Sequence, residues 1–242
     1  MGLLSSLSST LAENILSRRS GLYVAYLRRR GVVVGAGTEF FGRVMIDLTR
    51  PCLVEIGSNC VICHGVQVLT HGYDWSVLKW KYGDVLCSSG KVTIEDNVFV
   101  GQCTIILQGT RVGRNTIVGA GSVVTKDVPP DSVAAGNPCR VIMSIDEYRQ
   151  KRMREHVNEA RAYALELYRK TGRVPRMKDF WEEFPLFLDR RAERDWGGLP
   201  VREQVGPALQ SFLASKPLYS SFREFLIDAG VPPECVYHDE QA

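Results

Sequence analysis

One histidine in this chain stands where a side chain could carry out proton transfer. His71 follows a regular repeat and opens a long irregular loop, so it can project into a groove instead of packing in a core. An imidazole with an ordinary pKa near ~6.5 is available unprotonated at neutral pH and can act as a general base. The alternative is a structural role in which the ring caps the loop by hydrogen bonding. We interpret His71 as a base.

Two carboxylates are candidates for orienting that ring. Asp74 lies three residues after His71 and could hold it as carboxylates hold other catalytic imidazoles, but a turn that stabilises the loop is an equal alternative. Asp47 could reach the ring from the preceding coil, although the repeat is irregular there. His64 competes for the role of base, but it occupies a corner of a regular block, where an exposed structural histidine is the simpler interpretation.

A six-residue repeat must position these side chains. From Ile94 to Val128, consecutive blocks begin with Ile or Val and carry Val, Thr or Ser at the fifth position. A period of six matches neither a helix nor a simple strand alternation, and it is typical of a parallel β-helix, in which each block is one short strand and one corner. The branched residue points into a narrow core, and Gly or Asn at the corner tolerates a positive φ.

The same phase begins earlier, at Val34, and is interrupted twice. Arg50 stands where a small residue belongs, so we expect the coil to bulge there. Between residues 69 and 91 the repeat disappears. The sequence therefore predicts one solenoid over residues 32–143 with an extruded loop at 69–91. Loops of this length in compact domains usually have a function.

The repeats, the Thr70-His71 pair and the closing run from Val118 to Ile142 resemble the hexapeptide-repeat acyltransferases. Within them the chain is similar to the sugar O-acetyltransferases, which include the galactoside and maltose acetyltransferases and enzymes that acetylate bacterial surface polysaccharides. The match covers residues 32–143. The resemblance implies a left-handed parallel β-helix, a homotrimer, and acetyl-CoA bound between neighbouring subunits. It also implies direct acetyl transfer to a hydroxyl of a sugar or polysaccharide precursor, with His71 as the base and no metal.

Coenzyme A would need small residues beside its pantetheine arm and cations near its phosphates. The small residues are also what tight corners require, so both interpretations stay open for them. The polar candidates match the family's positions near the far end of the coenzyme. The candidates are the small residues Gly101, Gly119 and Ala120 and the polar residues Thr125, Lys126 and Arg140.

The extruded loop supplies the candidate contacts to the acceptor. Aromatic side chains suit the apolar faces of a sugar ring. An equal alternative is that Trp75 and Trp80 fasten the loop to the body of the protein. The candidates are Tyr73, Trp75, Trp80 and Tyr82.

Composition excludes several classes of protein. The net charge of +3 is too small to argue for a nucleic-acid partner, and 45% hydrophobic residues is ordinary for a soluble globular protein. No stretch approaches the ~20 apolar residues of a membrane span. Cys60 and Cys103 occupy small-residue positions of the repeat, which predicts reduced core thiols and a cytoplasmic location. Cys60 and Cys63 form a CxxC pair, but no second pair completes a zinc site.

Helices are expected on both sides of the solenoid. Residues 1–31 place Leu4, Leu7, Leu11 and Ile15 at helical spacing before a run of arginines, which predicts packing on protein or, alternatively, weak contact with an anionic membrane surface. Residues 144–242 predict a helical extension that begins with one long helix from Ile145 to Thr171. Aromatic residues expected to pack in this extension are Phe180, Trp181, Phe184, Phe187, Phe222 and Phe225.

Three other functions are alternatives to a sugar O-acetyltransferase, and the sequence argues against the last two. An acetyltransferase for an antibiotic or for serine would use the same chemistry, with different contacts in the loop and the C-terminal region. A non-catalytic β-helix scaffold would not need a groove histidine together with the cations. A β-helix metalloenzyme needs three converging histidines, and the solenoid with its loop offers only His64 and His71.

Overall fold

The computed structural model describes residues 20–191, 196 and 198–238, which divide into two compact units. The first unit extends to Arg149, and the second begins at Gln150. Most of the predicted N-terminal helical segment, including Leu4, Leu7, Leu11, Ile15, Arg18 and Arg19, lies outside the described residues. Its last part forms helix α1 (Ser20–Arg29).

Three sheets of short parallel strands form the first unit. They wind as the parallel β-helix that the repeat predicted, with the left hand that the resemblance implied. Sheet A contains β1 (Val33–Val34), β4 (Val54–Ile56), β9 (Val92–Ile94) and β12 (Arg111–Val112). Sheet B contains β2 (Glu39–Phe40), β5 (Val61–Ile62), β10 (Phe99–Val100), β13 (Ile117–Val118), β15 (Ser132–Ala135) and the antiparallel β16 (Arg140–Ser144). Sheet C contains β3 (Met45–Ile46), β6 (Gln67–Val68), β11 (Ile105–Ile106) and β14 (Val123–Val124).

The first residue of each block forms the core. In sheet B, for example, Phe40, Ile62, Val100 and Val118 stack in register from one coil to the next and are buried. Burying a branched aliphatic side chain stabilises a fold by about 1.5–3 kcal/mol, so a stack of such residues supplies the main driving force for the solenoid. Fifth-position residues are buried as well, and Thr or Ser there gives its hydroxyl to a backbone carbonyl, as Thr116 does to Pro129 O.

Left-handed backbone conformations explain the polar residues at the corners. Asn59, Asn97 and Asn115 all have φ near +55°, which costs Asn less than most residues. Cys103 is fourth in its six-residue block, as these asparagines are, and it is exposed with φ +58°. The expectation that Cys103 is a core thiol was therefore wrong, whereas Cys60 is buried as expected.

Both ends of the coil stack are closed. Helix α1 covers the N-terminal end, where Tyr23 and Leu27 are buried and the Tyr23 hydroxyl donates to Val44 O at 2.9 Å. Arg28 donates from its guanidinium to the carbonyls of Val34 and Gly35, so this part of the basic run has a structural role. At the other end, the antiparallel pair β15 and β16 terminates sheet B.

The corner between sheets C and A is the irregular one. Ile46 and Ile56 are ten residues apart instead of six, and the extra residues include a 3-10 helix at Pro51–Leu53. The bulge predicted at Arg50 is thus confirmed. One coil later, the extruded loop leaves the same corner and contains β7 (His71–Gly72), helix α2 (Trp75–Tyr82) and β8 (Ser88–Ser89).

The second unit is helical and has its own core. Helix α3 (Ile145–Thr171) has the predicted bounds and begins in the first unit. Of the six aromatics expected to pack, five are buried, and Trp181 is 51% exposed. No helix in the described part of the chain combines the length and apolar character that crossing a membrane requires. The later helices are α4 (Val201–Val205), α5 (Leu209–Ala214), α6 (Phe222–Asp228) and α7 (Pro233–His238), with 3-10 turns at Met177–Asp179, Phe184–Leu186 and Gly206–Ala208.

The spacing between coils predicts that alanine substitutions at two glycines have opposite effects on stability. A Cβ on Gly101 would lie 2.5 Å from Ala120 N, whereas a Cβ on Gly21 in α1 meets nothing within 4 Å. Gly101→Ala should therefore lower the free energy of unfolding by about 1–3 kcal/mol. Gly21→Ala should raise it by about 0.5–1 kcal/mol, because alanine loses less backbone entropy in a helix. Chemical denaturation measures both, and equal effects would contradict the coil packing described above.

Candidate active site

The irregular corner brings together residues that are far apart in the sequence. Parallel pairing sets Ile46 opposite Val68, so the residues that follow each strand lie on neighbouring coils at one corner. Asp47 N donates to Val68 O at 2.9 Å, which extends this pairing beyond the strands. The register therefore places Asp47 and Thr49 of one coil beside Thr70 and His71 of the next.

His71 and Asp47 form a close pair at this corner. His71 Nδ1 lies 2.6 Å from Asp47 Oδ2, and the two side chains are 14% and 7% exposed. An ionised carboxylate only accepts hydrogen bonds, so Nδ1 carries the proton that it donates. In the neutral ring, Nε2 is then the unprotonated nitrogen. This is the arrangement that a general base requires.

Asp47 accepts hydrogen bonds at both oxygens from four atoms besides the imidazole. Thr49 donates to Oδ1 from its backbone N at 3.0 Å and from its hydroxyl at 2.7 Å. Thr70 donates to Oδ2 from its backbone N at 3.1 Å and from its hydroxyl at 2.5 Å. Burial raises the pKa of Asp47, but the hydrogen bonds from Thr49, Thr70 and His71 together outweigh it and hold this pKa well below its ordinary value. Asp47 is therefore an anion at neutral pH.

Asp74 has a different role from the one considered in the sequence. It precedes helix α2, and its Oδ1 accepts a hydrogen bond from the Ser88 hydroxyl at 3.1 Å. This contact joins the residue that follows the first neck strand to the second neck strand, and no hydrogen bond from the Asp74 side chain caps helix α2. The carboxylate on the His71 ring is Asp47 instead, which corrects the assignment of Asp74 as the orienting residue.

A two-stranded neck fixes the backbone of His71. β7 pairs antiparallel with β8, so that His71 lies opposite Ser89. Just outside the pair, Gly90 N donates to Thr70 O at 3.0 Å. The loop thus leaves the solenoid as a hairpin, and its first residue after the corner is held on both sides.

Of the loop aromatics, Tyr73 is the one beside His71. Their rings meet edge to face with centroids 5.0 Å apart, and Trp75 lies 6.3 Å beyond Tyr73. Trp80 is 85% exposed, and its ring contacts the Lys79 ammonium, which also lies over Trp75. Tyr82 contacts the ammonium of the neighbouring lysine. Tyr73 therefore contacts the His71 ring and Trp75 contacts Tyr73, whereas Trp80 and Tyr82 lie farther along the loop.

Five of the six candidate coenzyme residues lie at the two edges of sheet C, and Arg140 lies in sheet B. Thr125 and Lys126 are exposed and follow β14, on the same corner as His71 and two coils farther on, about 10 Å along the axis. Gly101, Gly119 and Ala120 lie on the corner between sheets B and C. The two glycines are needed for stacking, because a Cβ on Gly119 would lie 2.9 Å from Ala135 Cβ, and one on Gly101 would meet Ala120. Arg140 is exposed at the start of β16 and donates to Cys139 O.

The other histidines have structural contacts. His64 is exposed at a corner, and its Nδ1 accepts from Arg43 N at 3.2 Å. His156 Nδ1 lies 3.1 Å from Arg152 O in α3, and the side chain of His238 lies outside the described residues. Among residues 20–191, 196 and 198–238, no three His, Cys, Asp or Glu side chains converge in a way that could hold a metal ion.

Comparison with known proteins identifies similar sequences. Residues 91–126 match the family model described as bacterial transferase hexapeptide (six repeats). The galactoside O-acetyltransferase of Escherichia coli (strain K12) is 33% identical to this chain over 145 residues, which make up 60% of this chain and 68% of the relative.

Two solved structures are also similar. A maltose O-acetyltransferase from Clostridium difficile 630 is 29% identical, with a TM-score of 0.44, over 56% of this chain and 81% of its own. A hexapeptide-repeat acetyltransferase from Vibrio cholerae O1 biovar eltor, solved in complex with acetyl coenzyme A, is 22% identical, with a TM-score of 0.38, over 54% of this chain and 82% of its own.

The environment of Asp47 predicts a pH-dependent contribution to stability. Because its pKa is lower in the folded protein than in the unfolded chain, its contribution is complete above about pH 4 and is lost as the pH falls toward the folded value. Asp47→Asn should therefore destabilise the protein at pH 7, and the deficit should shrink below about pH 4. Denaturant titrations from pH 7 to pH 3 measure this. Asp84→Asn, in the exposed part of the loop, is the control and should change stability by less than ~0.5 kcal/mol.

Proposed function

Since this chain belongs to the hexapeptide-repeat acetyltransferases, we propose that it transfers the acetyl group of acetyl-CoA to a hydroxyl of a sugar or of a surface-polysaccharide precursor. The observation that carries the proposal is the His71–Asp47 pair at the irregular corner of the β-helix. This pair leaves Nε2 of the ring free for a substrate hydroxyl. We assign the reaction to the cytoplasm, as the cysteine usage predicted.

His71 acts as the general base in this reaction. Its Nε2 takes the proton of the acceptor hydroxyl while the hydroxyl oxygen attacks the thioester carbonyl carbon. The tetrahedral oxyanion then collapses, the carbon–sulfur bond breaks, and the coenzyme thiolate takes the proton from the imidazolium. The products are the O-acetyl ester and coenzyme A. The acetyl group passes directly between the two substrates in a ternary complex, with no covalent bond to the protein.

Asp47 makes this proton transfer favourable. The ring becomes an imidazolium during the attack, and an anion 2.6 Å from Nδ1 stabilises that charge. The carboxylate does not itself need to change protonation. Its four other hydrogen bonds keep it fixed, so little reorganisation accompanies the reaction.

Acetyl-CoA binds along the outside of sheet C in this proposal. Lys126 and Arg140 pair with its phosphates, Thr125 contributes a hydroxyl, and Gly119 and Ala120 leave room for the pantetheine arm. Within one chain, Thr125 and Lys126 lie at one edge of sheet C and Gly119 and Ala120 at the other, which favours a site shared between neighbouring copies.

The outward faces of the sheets support assembly into a homotrimer. Apolar side chains there are exposed or half-buried in the single chain, and large exposed apolar surfaces mark interfaces. In sheet B they are Val61, Phe99 and Ile117, and in sheet C they are Met45, Ile105 and Val123.

The acceptor site lies between His71 and the extruded loop. Tyr73 stands at the edge of the His71 ring, and Trp75 extends the same aromatic surface. The apolar face of a sugar ring can stack there while one of its hydroxyls reaches Nε2. Trp80 and Tyr82, which are exposed farther along the loop, can contact additional sugar units of a longer acceptor.

Calorimetric titration with acetyl-CoA, followed by an assay for released coenzyme thiol with a panel of acceptors, tests the proposal. We expect saturable binding near one site per chain and thiol release with glycosides or polysaccharide precursors. Binding without any acceptor-dependent release from sugars would remove the sugar acceptor. No binding at millimolar acetyl-CoA would remove the acetyl donor.

Removing the proposed base should affect turnover much more than coenzyme binding. His71→Ala should lower turnover by about 10²–10⁴-fold, because the hydroxyl loses its proton acceptor, while the dissociation constant for acetyl-CoA stays nearly the same. Steady-state kinetics and calorimetry measure the two quantities. His64→Ala, at an exposed corner of the same coil, is the matched control and should retain activity. Unchanged turnover in His71→Ala would exclude His71 as the base.

Removing the proposed phosphate contact should have the opposite pattern. Lys126→Ala should weaken acetyl-CoA binding about tenfold, since a charge-assisted hydrogen bond contributes roughly 1.5–3 kcal/mol and the site is exposed. The rate at saturating coenzyme should change little. Lys170→Ala, an exposed lysine in the second unit, provides the comparison. Identical dissociation constants for the two variants would place Lys126 outside the coenzyme site.

A further inference from the structure

Each oxygen of Asp47 is held by a different threonine. Thr49 lies two residues after Asp47 and, of the two carboxylate oxygens, contacts only Oδ1, so it forms a local turn around the carboxylate. Its hydroxyl also lies 3.4 Å from His71 Nδ1. Thr70 comes from the next coil and contacts only Oδ2, the oxygen that also accepts from His71. Thr70 is thus the residue that determines where the His71-bound oxygen lies.

Thr70 differs from the other buried threonines of the solenoid. Those at Thr38, Thr104, Thr110 and Thr116 donate their hydroxyls to backbone carbonyls and satisfy the corners of the coils. Thr70 is fully buried and donates its hydroxyl to a side-chain carboxylate. The repeat therefore does not account for this hydroxyl.

Hydrogen bonds of the Thr70 backbone hold its hydroxyl in a fixed position. Thr70 N donates to Asp47 Oδ2, and Thr70 O accepts from Gly90 N, so the residue is held by the preceding coil and by the loop neck together. Its neighbour His71 is in the neck strand β7. One short backbone segment thus positions both the ring and the oxygen to which the ring is bound.

We propose that Thr70 is a positioning residue that orients Asp47 Oδ2 toward His71 Nδ1 and thereby presents Nε2 to the acceptor hydroxyl. This role rests on the proposed acetyl transfer. Without the hydroxyl, Oδ2 keeps only the longer contact from the Thr70 amide, at 3.1 Å, so its direction toward the ring is less closely defined. The imidazole then loses the fixed partner that sets its tautomer and its direction.

The test compares two substitutions at this residue with one at a matched threonine. Thr70→Val removes the hydroxyl at nearly constant volume, Thr70→Ser keeps it, and Thr116→Val removes a buried hydroxyl that contacts only backbone. We expect Thr70→Val to lower kcat about 10–100-fold with an unchanged KM for acetyl-CoA, the effect of losing one hydrogen bond to a charged group. Thr70→Ser should stay within about threefold of the parent protein, and Thr116→Val should keep the parent kcat.

The pH profile separates positioning from simple structural support. In Thr70→Val the ring loses a well-oriented carboxylate, so the pH profile of kcat/KM should differ from that of the parent protein. Thermal unfolding verifies that each variant is folded, and Thr70→Ala is the second hydroxyl-free variant if valine is not accommodated. A hydroxyl-free variant that is folded and has the parent's kcat and pH profile would overturn the proposal.

A measurement independent of activity distinguishes failure of this inference from failure of the proposed reaction. With ¹⁵N-labelled histidine, the Nδ1–H signal of His71, assigned by its loss in His71→Gln, should be protected from exchange in the parent protein and lose protection in Thr70→Val. If the parent protein has no transferase activity but Thr70→Val still loses the Nδ1–H protection, the proposed acetyl transfer is wrong and the positioning role of Thr70 stands. An active parent whose Nδ1–H signal is the same in Thr70→Val would overturn the positioning alone.

Discussion

The register of parallel coils is the constraint on which the rest of the structure depends. A coil of three six-residue blocks returns the chain to the same corner, and hydrogen bonding between coils fixes which residues meet there. Buried branched side chains keep that register, because a shift by one residue would turn the core stack toward solvent. The solenoid can therefore hold two side chains from neighbouring coils at a fixed distance without a long-range fold around them.

Insertions at a single corner turn this regular frame into a site. The first insertion is short and lets Thr49 fold back on Asp47, and the second is the hairpin loop that begins at His71. Neither insertion disturbs the strands on each side, which keep their pairing. The corner tolerates them because corners, unlike strands, contribute few residues to the core. The β-helix holds the backbone in place, and the irregular corner carries the side chains of the proposed reaction.

A buried carboxylate beside a histidine is unfavourable unless its oxygens are saturated with hydrogen bonds. Asp47 meets that condition through two threonines and the imidazole, from two coils. The same contacts that make the anion tolerable also fix its direction. Stability and the proposed reaction thus depend on the same hydrogen bonds. At the proposed coenzyme site, in contrast, Gly101 and Gly119 are required by the packing of neighbouring coils.

The sequence by itself determined the repeat, the solenoid, the extruded loop, the helical extension and the histidine at the corner. These are local features: a six-residue hydrophobic period and the residue at which it stops can be read without knowing what the chain folds against.

The carboxylate that contacts that histidine could not be identified from the sequence in the same way. Asp74 is three residues away in sequence and Asp47 is twenty-four, and the bulge at Arg50 hid the alignment between the two coils. The in-phase residues Ile46 and Val68 were the available signal, since pairing them places Asp47 and Thr70 at one corner. Only the tertiary structure decided that alignment, because hydrogen bonding between coils, not distance along the chain, brings a carboxylate to an imidazole. The exposure of Cys103 was also decided by the structure, because this residue takes the positive φ of a corner and its side chain points away from the core.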